Sequence, residues 1–273
     1  MARHHIIAVF VHIAQGIHQR AGRKLADQRD DGVAVAQQKE SDQDAQGEFD
    51  VKWHTSKVPN QRPQARFPGV LDLQGSLSRC DGTRVYRYLP VTILPQVRHY
   101  VREAVKKGLA SDVKFKIKGD LYDFPFVQDR TGDFRITANV ADVTFAYVPP
   151  SLLPAGSALW PELTQLSGEF MIDRQLLQVK GVKARLSGKM PAATVQVLKA
   201  EGVIPNLFNG ATVQVNGEAR SSLAGLLATV NGSPLGAMMG NVLGDMNATG
   251  NTDLRLKLNL PISAIDRTAL QGS

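Results

Sequence analysis

Strict alternation of apolar and polar residues is the dominant pattern along this chain. In Val113-Lys114-Phe115-Lys116-Ile117-Lys118 the apolar side chains take odd positions and the lysines even ones. One face of such a strand meets an apolar environment and the other meets water. Beyond the turn-forming cluster Asp129-Arg130-Thr131-Gly132, Phe134, Ile136, Ala138 and Val140 share one parity, and Val143, Phe145 and Tyr147 share the other. A flip at Ala141-Asp142 predicts a β-bulge, which bends a strand while keeping its apolar face inward. The two runs form an antiparallel hairpin. The same half-buried pattern recurs at Gly69–Leu77, Leu166–Ile172, Leu176–Val179, Val182–Leu186, Thr194–Val197, Thr212–Gly217 and Asp253–Leu260. Gly181 permits a further switch of parity. The expectation is a mainly β chain: a long, curved, mostly antiparallel sheet with a few short amphipathic helices.

Three segments read as helical. Thr83–Leu89 is a short helix that Pro90 stops. The next starts at Pro95, presents Val97, Tyr100, Val101, Ala104 and Val105 on one face, and ends at Lys106 and Lys107 with Gly108 as its cap. Between Ser221 and Asp245, Leu223, Leu226, Leu227 and Val230 make one stripe. Ser233-Pro234 then restarts a helix carrying Leu235, Met238, Met239, Val242, Leu243 and Met246. Gly236, Gly240 and Gly244 each cost about 1 kcal/mol relative to alanine in a helix interior. The pair is therefore expected to depend on docking against the sheet, as a helical cover formed by Leu226, Leu235, Met238, Met239 and Val242.

Residues 1–66 differ from the rest. They hold five of the six histidines and a Gln/Asp-rich tract from Gln37 to Gln46, with little apolar periodicity after Ala14. They are expected to be disordered or non-native, leaving 67–273 as the sheet domain. His12 and His18 are spaced so that they share no helical turn, which argues against a metal pair. The apolar run from Ile6 to Phe10 falls far short of the roughly 20 residues of a membrane span, and no signal-peptide cleavage site follows it cleanly.

Composition narrows the function. The formal charge of +7 is dispersed along the strands and aromatics make up only 6% of the residues, so the basic stripe with stacking aromatics of a nucleic-acid binder is missing. Cys80, the single cysteine, excludes an internal disulfide and a cysteine-based zinc site. The patterned region holds no glycine-rich phosphate loop, no metal-ligand cluster and no Ser/His/Asp arrangement. Asp120, Asp123, Asp129 and Asp133 fall at turns, where aspartate serves the backbone, and His99 has no partner at a recognisable spacing. No catalytic residue, metal or cofactor is expected, and the chain does not read as an enzyme. The candidate functional surface is instead an apolar face made by Val113, Phe115, Ile117, Phe134, Ile136, Val143, Phe145, Leu254, Leu256 and Leu258. Alternation alone fits a closed β-sandwich as well as an open trough.

Several phrases carry a family resemblance: Val85-Tyr-Arg-Tyr-Leu-Pro90, Val113-Lys-Phe-Lys-Ile-Lys-Gly-Asp120 leading into Asp123-Phe-Pro-Phe126, Leu166-Ser-Gly-Glu169 and Asn231-Gly-Ser-Pro-Leu235. From about Phe67 onward the chain resembles an internal part of the YhdP proteins, AsmA-like proteins of Gram-negative bacteria. The resemblance implies an inner-membrane-associated, periplasmic β-groove that conducts phospholipid toward the outer membrane. The ten residues above would then line the groove and meet acyl chains, with phospholipid as partner and no cofactor. Shorter than a full member and without the family's N-terminal anchor, the chain is expected to be a fragment. The alternatives are a non-transporting β-rich envelope scaffold or assembly protein, with a closed core and a protein partner on a sheet edge, or a truncated fragment without function.

Overall fold

Each strand pairs with the one before it and the one after it, so sheet order repeats chain order. The computed structural model describes residues 34–41, 44–56, 69–87, 89, 95–127, 131–187, 195–209, 211–244, 246–261 and 269–272. Among these, eleven strands form one antiparallel sheet. They are β1 (Ala34–Ser41), β2 (Ala45–His54), β3 (Val70–Asp81), β4 (Val105–Asp120), β5 (Gly132–Phe145), β6 (Glu162–Asp173), β7 (Leu176–Ser187), β8 (Val195–Ile204), β9 (Thr212–Ser222), β10 (Asn251–Pro261) and β11 (Ala269–Gly272). The α-helices are α1 (Pro95–Ala104), α2 (Leu223–Asn231) and α3 (Pro234–Met238), and the short helix expected at Thr83–Leu89 is a 3-10 helix over Gly82–Arg87. Because the chain reverses at every strand, its connections alternate between two rims. One rim carries the β4–β5, β6–β7 and β8–β9 connections. The other carries α1, the β5–β6 connection, and α2 with α3.

Bulges bend the central strands. The register slips between Ser111 and Lys114 on β4, Val140 and Val143 on β5, Thr164 and Ser167 on β6, and Val179 and Val182 on β7. A residue with left-handed backbone sits at each slip: Asp112 (φ 50°), Asp142 (φ 51°), Gln165 (φ 50°) and Gly181 (φ 59°). An extra residue on one strand shifts side-chain parity and raises the local twist. The apolar positions therefore stay on one face along strands as long as the 16-residue β4. The flip expected at Ala141-Asp142 is the β5 bulge, and the switch expected at Gly181 is the β7 bulge.

The sheet begins well before the compositional break at residue 66. Strand β2 lies beside β3, with Val51 opposite Leu73 and Trp53 opposite Leu71, and β1 pairs with β2. Ala34–Ser41 and Ala45–His54 are therefore strands of the sheet, where the expectation was a disordered or non-native segment. The reason is visible in Glu48-Phe49-Asp50-Val51-Lys52-Trp53, a short alternation behind the polar tract. The N-terminal histidines His4, His5, His12 and His18 and the run Ile6–Phe10 lie outside the described residues. Two helices also end early. The first stops at Ala104 and the chain enters β4 directly, so Lys106, Lys107 and Gly108 belong to a strand. Gly108 (φ 144°) is needed there because a Cβ would lie 2.6 Å from Val143 Cγ2. The last helix stops at Met238, since Gly240 and Asn241 both take left-handed backbone (φ 67° and 55°).

Close cross-strand contact also sets a steric limit at Gly75, opposite Phe49 and Phe115. A Cβ there would lie 2.5 Å from Phe115 Cζ and 2.6 Å from Phe49 Cβ. Gly75→Val should lower the unfolding free energy by about 1–3 kcal/mol, the cost of overpacking. Urea unfolding of the two proteins measures it, and an unchanged midpoint would contradict the steric reading.

Candidate functional site

The two faces of the sheet differ in chemistry from one strand to the next. Phe49, Gly75, Phe115, Ile136, Ile172, Leu177 and Ile204 stand opposite one another in turn from β2 to β8. A second row, Phe170, Val179, Gly202, Val215 and Leu258, carries the same face from β6 to β10. Near the helical rim, Phe145, Leu163, Leu186 and Val195 make a third. All ten residues of the expected apolar surface fall on this face. Ile117 and Phe134 are buried, at 7% and 9% exposure, while Leu256 is 38% exposed. Val113, Phe115, Ile136, Val143, Phe145, Leu254 and Leu258 are half-buried. Among the described residues no second sheet lies over them. Among the described residues the architecture is thus one open sheet and not a closed sandwich.

The opposite face is a lattice of charges. Lys118 pairs with Asp72 at 3.0 Å, Arg135 with Asp173 at 3.5 Å, Arg220 with Asp253 at 2.7 Å and Arg255 with Glu218 at 3.6 Å. Each of these is a directly opposed cross-strand pair. Lys116 reaches Asp133 at 2.7 Å, and that hydrogen bond, reinforced by the charges of Lys116, Arg174 and Lys118, holds the Asp133 carboxyl below its usual range. A depressed carboxylate contributes stability above its unfolded-state pKa and loses it as pH falls through the folded value. The pair is water-exposed and screened, so Asp133→Asn should cost under about 1 kcal/mol at neutral pH. The difference should vanish below the carboxylate range, which denaturation at the two pH values would measure.

One rim is closed by an aromatic cluster that the alternation could not reveal. Leu121 and Phe126, in the β4–β5 connection, pack with Leu71, Ile117 and Phe134 of the apolar face, and Phe124, Ile136 and Ile172 flank them. Phe126 is fully buried. Its ring lies against Gly119 and Gly132, where a Cβ would come within 2.8 and 2.7 Å of it. Asp120 fixes the start of this connection by accepting the Tyr122 N–H at 3.0 Å. The aromatic-rich run Leu121-Tyr-Asp-Phe-Pro-Phe126 was the only sequence signal for it.

At the other rim the Tyr100 hydroxyl donates to the Tyr147 carbonyl at 3.1 Å, and Tyr147 meets Trp160 edge-on at 6.0 Å. Burial pushes both phenols up from their ordinary pKa. Helix α2 packs on β8 and β9, and α3 packs on α2. Of the five residues expected to cover the sheet, Leu226 and Leu235 are half-buried. Met238, Met239 and Val242 are 56%, 47% and 72% exposed, so they do not cover it. The shortened α3 is the cause, because the left-handed turn at Gly240-Asn241 carries the chain away.

Among the described residues no group of His, Cys, Asp or Glu could hold a metal ion, and no helix is long and apolar enough to cross a membrane. No curated protein and no solved structure matches the chain. The profile of the family described as YhdP protein matches residues 26–273, reaching well upstream of Phe67 and taking in both β1 and β2. A profile match over nearly the whole chain, on a long antiparallel sheet with one apolar face, places this chain in the YhdP family.

Proposed function

We infer that the apolar face is a trough that solvates phospholipid acyl chains and passes them between the membranes of a Gram-negative envelope. The protein works in the periplasm, associated with the inner membrane, and its chemistry is solvation rather than catalysis. The observation that carries this reading is the continuous apolar face from β2 to β10, over which no second sheet lies among the described residues. Each methylene moved from water onto such a face gains about 0.8 kcal/mol, while head groups stay hydrated at the rims. The ion-paired face keeps the back of the sheet in water. Membership of the YhdP family supports the same reading, since the resemblance implies envelope lipid transport.

A photocrosslinking amino acid at Leu256, the most exposed of the ten trough residues, tests it in Gram-negative cells. Lys257, its neighbour on the charged face, is the control. Mass spectrometry of the adducts should find phospholipid at Leu256 and not at Lys257. Protein adducts alone at Leu256 would overturn the trough and favour an envelope scaffold.

A further inference from the structure

The rim opposite the helices is bridged across the trough. Phe124 of the β4–β5 connection meets Phe208 of the β8–β9 connection edge-on, with ring centroids 6.0 Å apart and planes at 86°. On a flat sheet β5 and β8 stand three strand spacings apart, about 14 Å; here the connections beyond them touch. The two halves of this bridge are held differently. Phe124 is anchored, packed on Phe134 at 4.8 Å and on the buried Phe126 at 5.8 Å. Phe208 is 51% exposed and sits on a short connection shaped by Asn206, whose side-chain oxygen accepts the N–H groups of Phe208 and Asn209 at 3.0 Å each. Between them the rim is tied by two backbone hydrogen bonds: Arg174 N–H to the Phe134 carbonyl at 2.7 Å, and Leu207 N–H to the Gln175 carbonyl at 2.8 Å.

Resting on the reading of the apolar face as an acyl-chain trough, we propose that Phe124 and Phe208 form a clasp over its β5–β8 section, and that parting this pair admits acyl chains from the side. Phe124 is the fixed jaw and Phe208 the moving one. The aromatic contact between the jaws lies at the surface, where Phe208 is half-exposed, so parting it leaves the core beneath Phe126 intact. The closed clasp keeps the rows at Ile172 and Leu177 out of reach of that rim, while β10, beyond the clasp, stays open.

The test uses the full chain with Cys80→Ser, Phe124→Cys and Phe208→Cys, closed with a reducible bis-methanethiosulfonate tether. Photocrosslinkers stand at Leu177, under the clasp, and at Leu256, beyond it. Tethering should lower phospholipid capture at Leu177 about tenfold, because capture scales with the fraction of molecules in the competent state. Capture at Leu256 should be unchanged, and reductant should restore Leu177. The single variant Phe208→Ala, at a half-exposed site, should raise capture at Leu177. Equal capture at Leu177 with and without the tether would overturn the clasp, as would a fall in the Phe208→Ala variant. Lipid at neither position in the untethered protein would overturn the trough itself, and the clasp with it.

Discussion

Replacing Phe126 with alanine is expected to lower the unfolding free energy by about 3–5 kcal/mol, the range for truncating a fully buried aromatic side chain. The cost is high because relaxation cannot fill the space. The ring is seated on Gly119 and Gly132, which have no side chains to move inward. Its other neighbours, Leu71, Ile117, Leu121 and Phe134, are held by three strands and the connection itself. The loss should appear in urea unfolding as a lower midpoint with an unchanged slope. A cost below about 1 kcal/mol would mean that this connection collapses onto the sheet without its central ring, in conflict with the residual-cavity argument.

Val215→Asp should reduce phospholipid capture at Leu256 about a hundredfold or more, because taking an unpaired carboxylate out of water costs several kcal/mol. Val215 stands on the apolar face between Gly202 of β8 and Leu258 of β10. It is half-buried, so the variant can solvate its charge by flooding the trough and still fold. Gln214→Asp, one residue away on the charged face, is the matched control and should leave capture unchanged. Equal losses in both variants would point to a general charge effect, and no loss in either would show that lipid does not pass this section.

Much of the sheet is readable in the sequence because a strand with one apolar face must alternate. Val113, Phe115 and Ile117 declare themselves in this way, and the bulge at Ala141-Asp142 announces itself as a phase flip. Elsewhere the same bulges hide the pattern. Leu163, Leu166, Phe170 and Ile172 of β6 share a face only because the slip after Thr164 absorbs a residue, and the expected surface holds no residue of β6 or β7. Strand β2 was missed because its three alternating apolar residues follow a polar tract. The hydrophobic stripe from Leu235 to Met246 outruns its helix because Gly240 and Asn241 adopt left-handed backbone, which a stripe does not encode. The meeting of Phe124 with Phe208 has no local signature at all. It is a product of sheet curvature, which no window of sequence reports.

Because every described strand is hydrogen-bonded only to its immediate neighbours in the chain, the architecture behaves as a one-dimensional array, with stability accumulating neighbour by neighbour. The contacts are local in sequence, which favours formation of the sheet hairpin by hairpin from any nucleus. Growth of such an array is quantised. Inserting or deleting a single strand would reverse the direction of everything downstream and exchange the aromatic rim with the helical one. Inserting or deleting a hairpin preserves both. Natural length variation should therefore come in units of two strands, and a duplicated hairpin could lengthen the array without redesigning either rim.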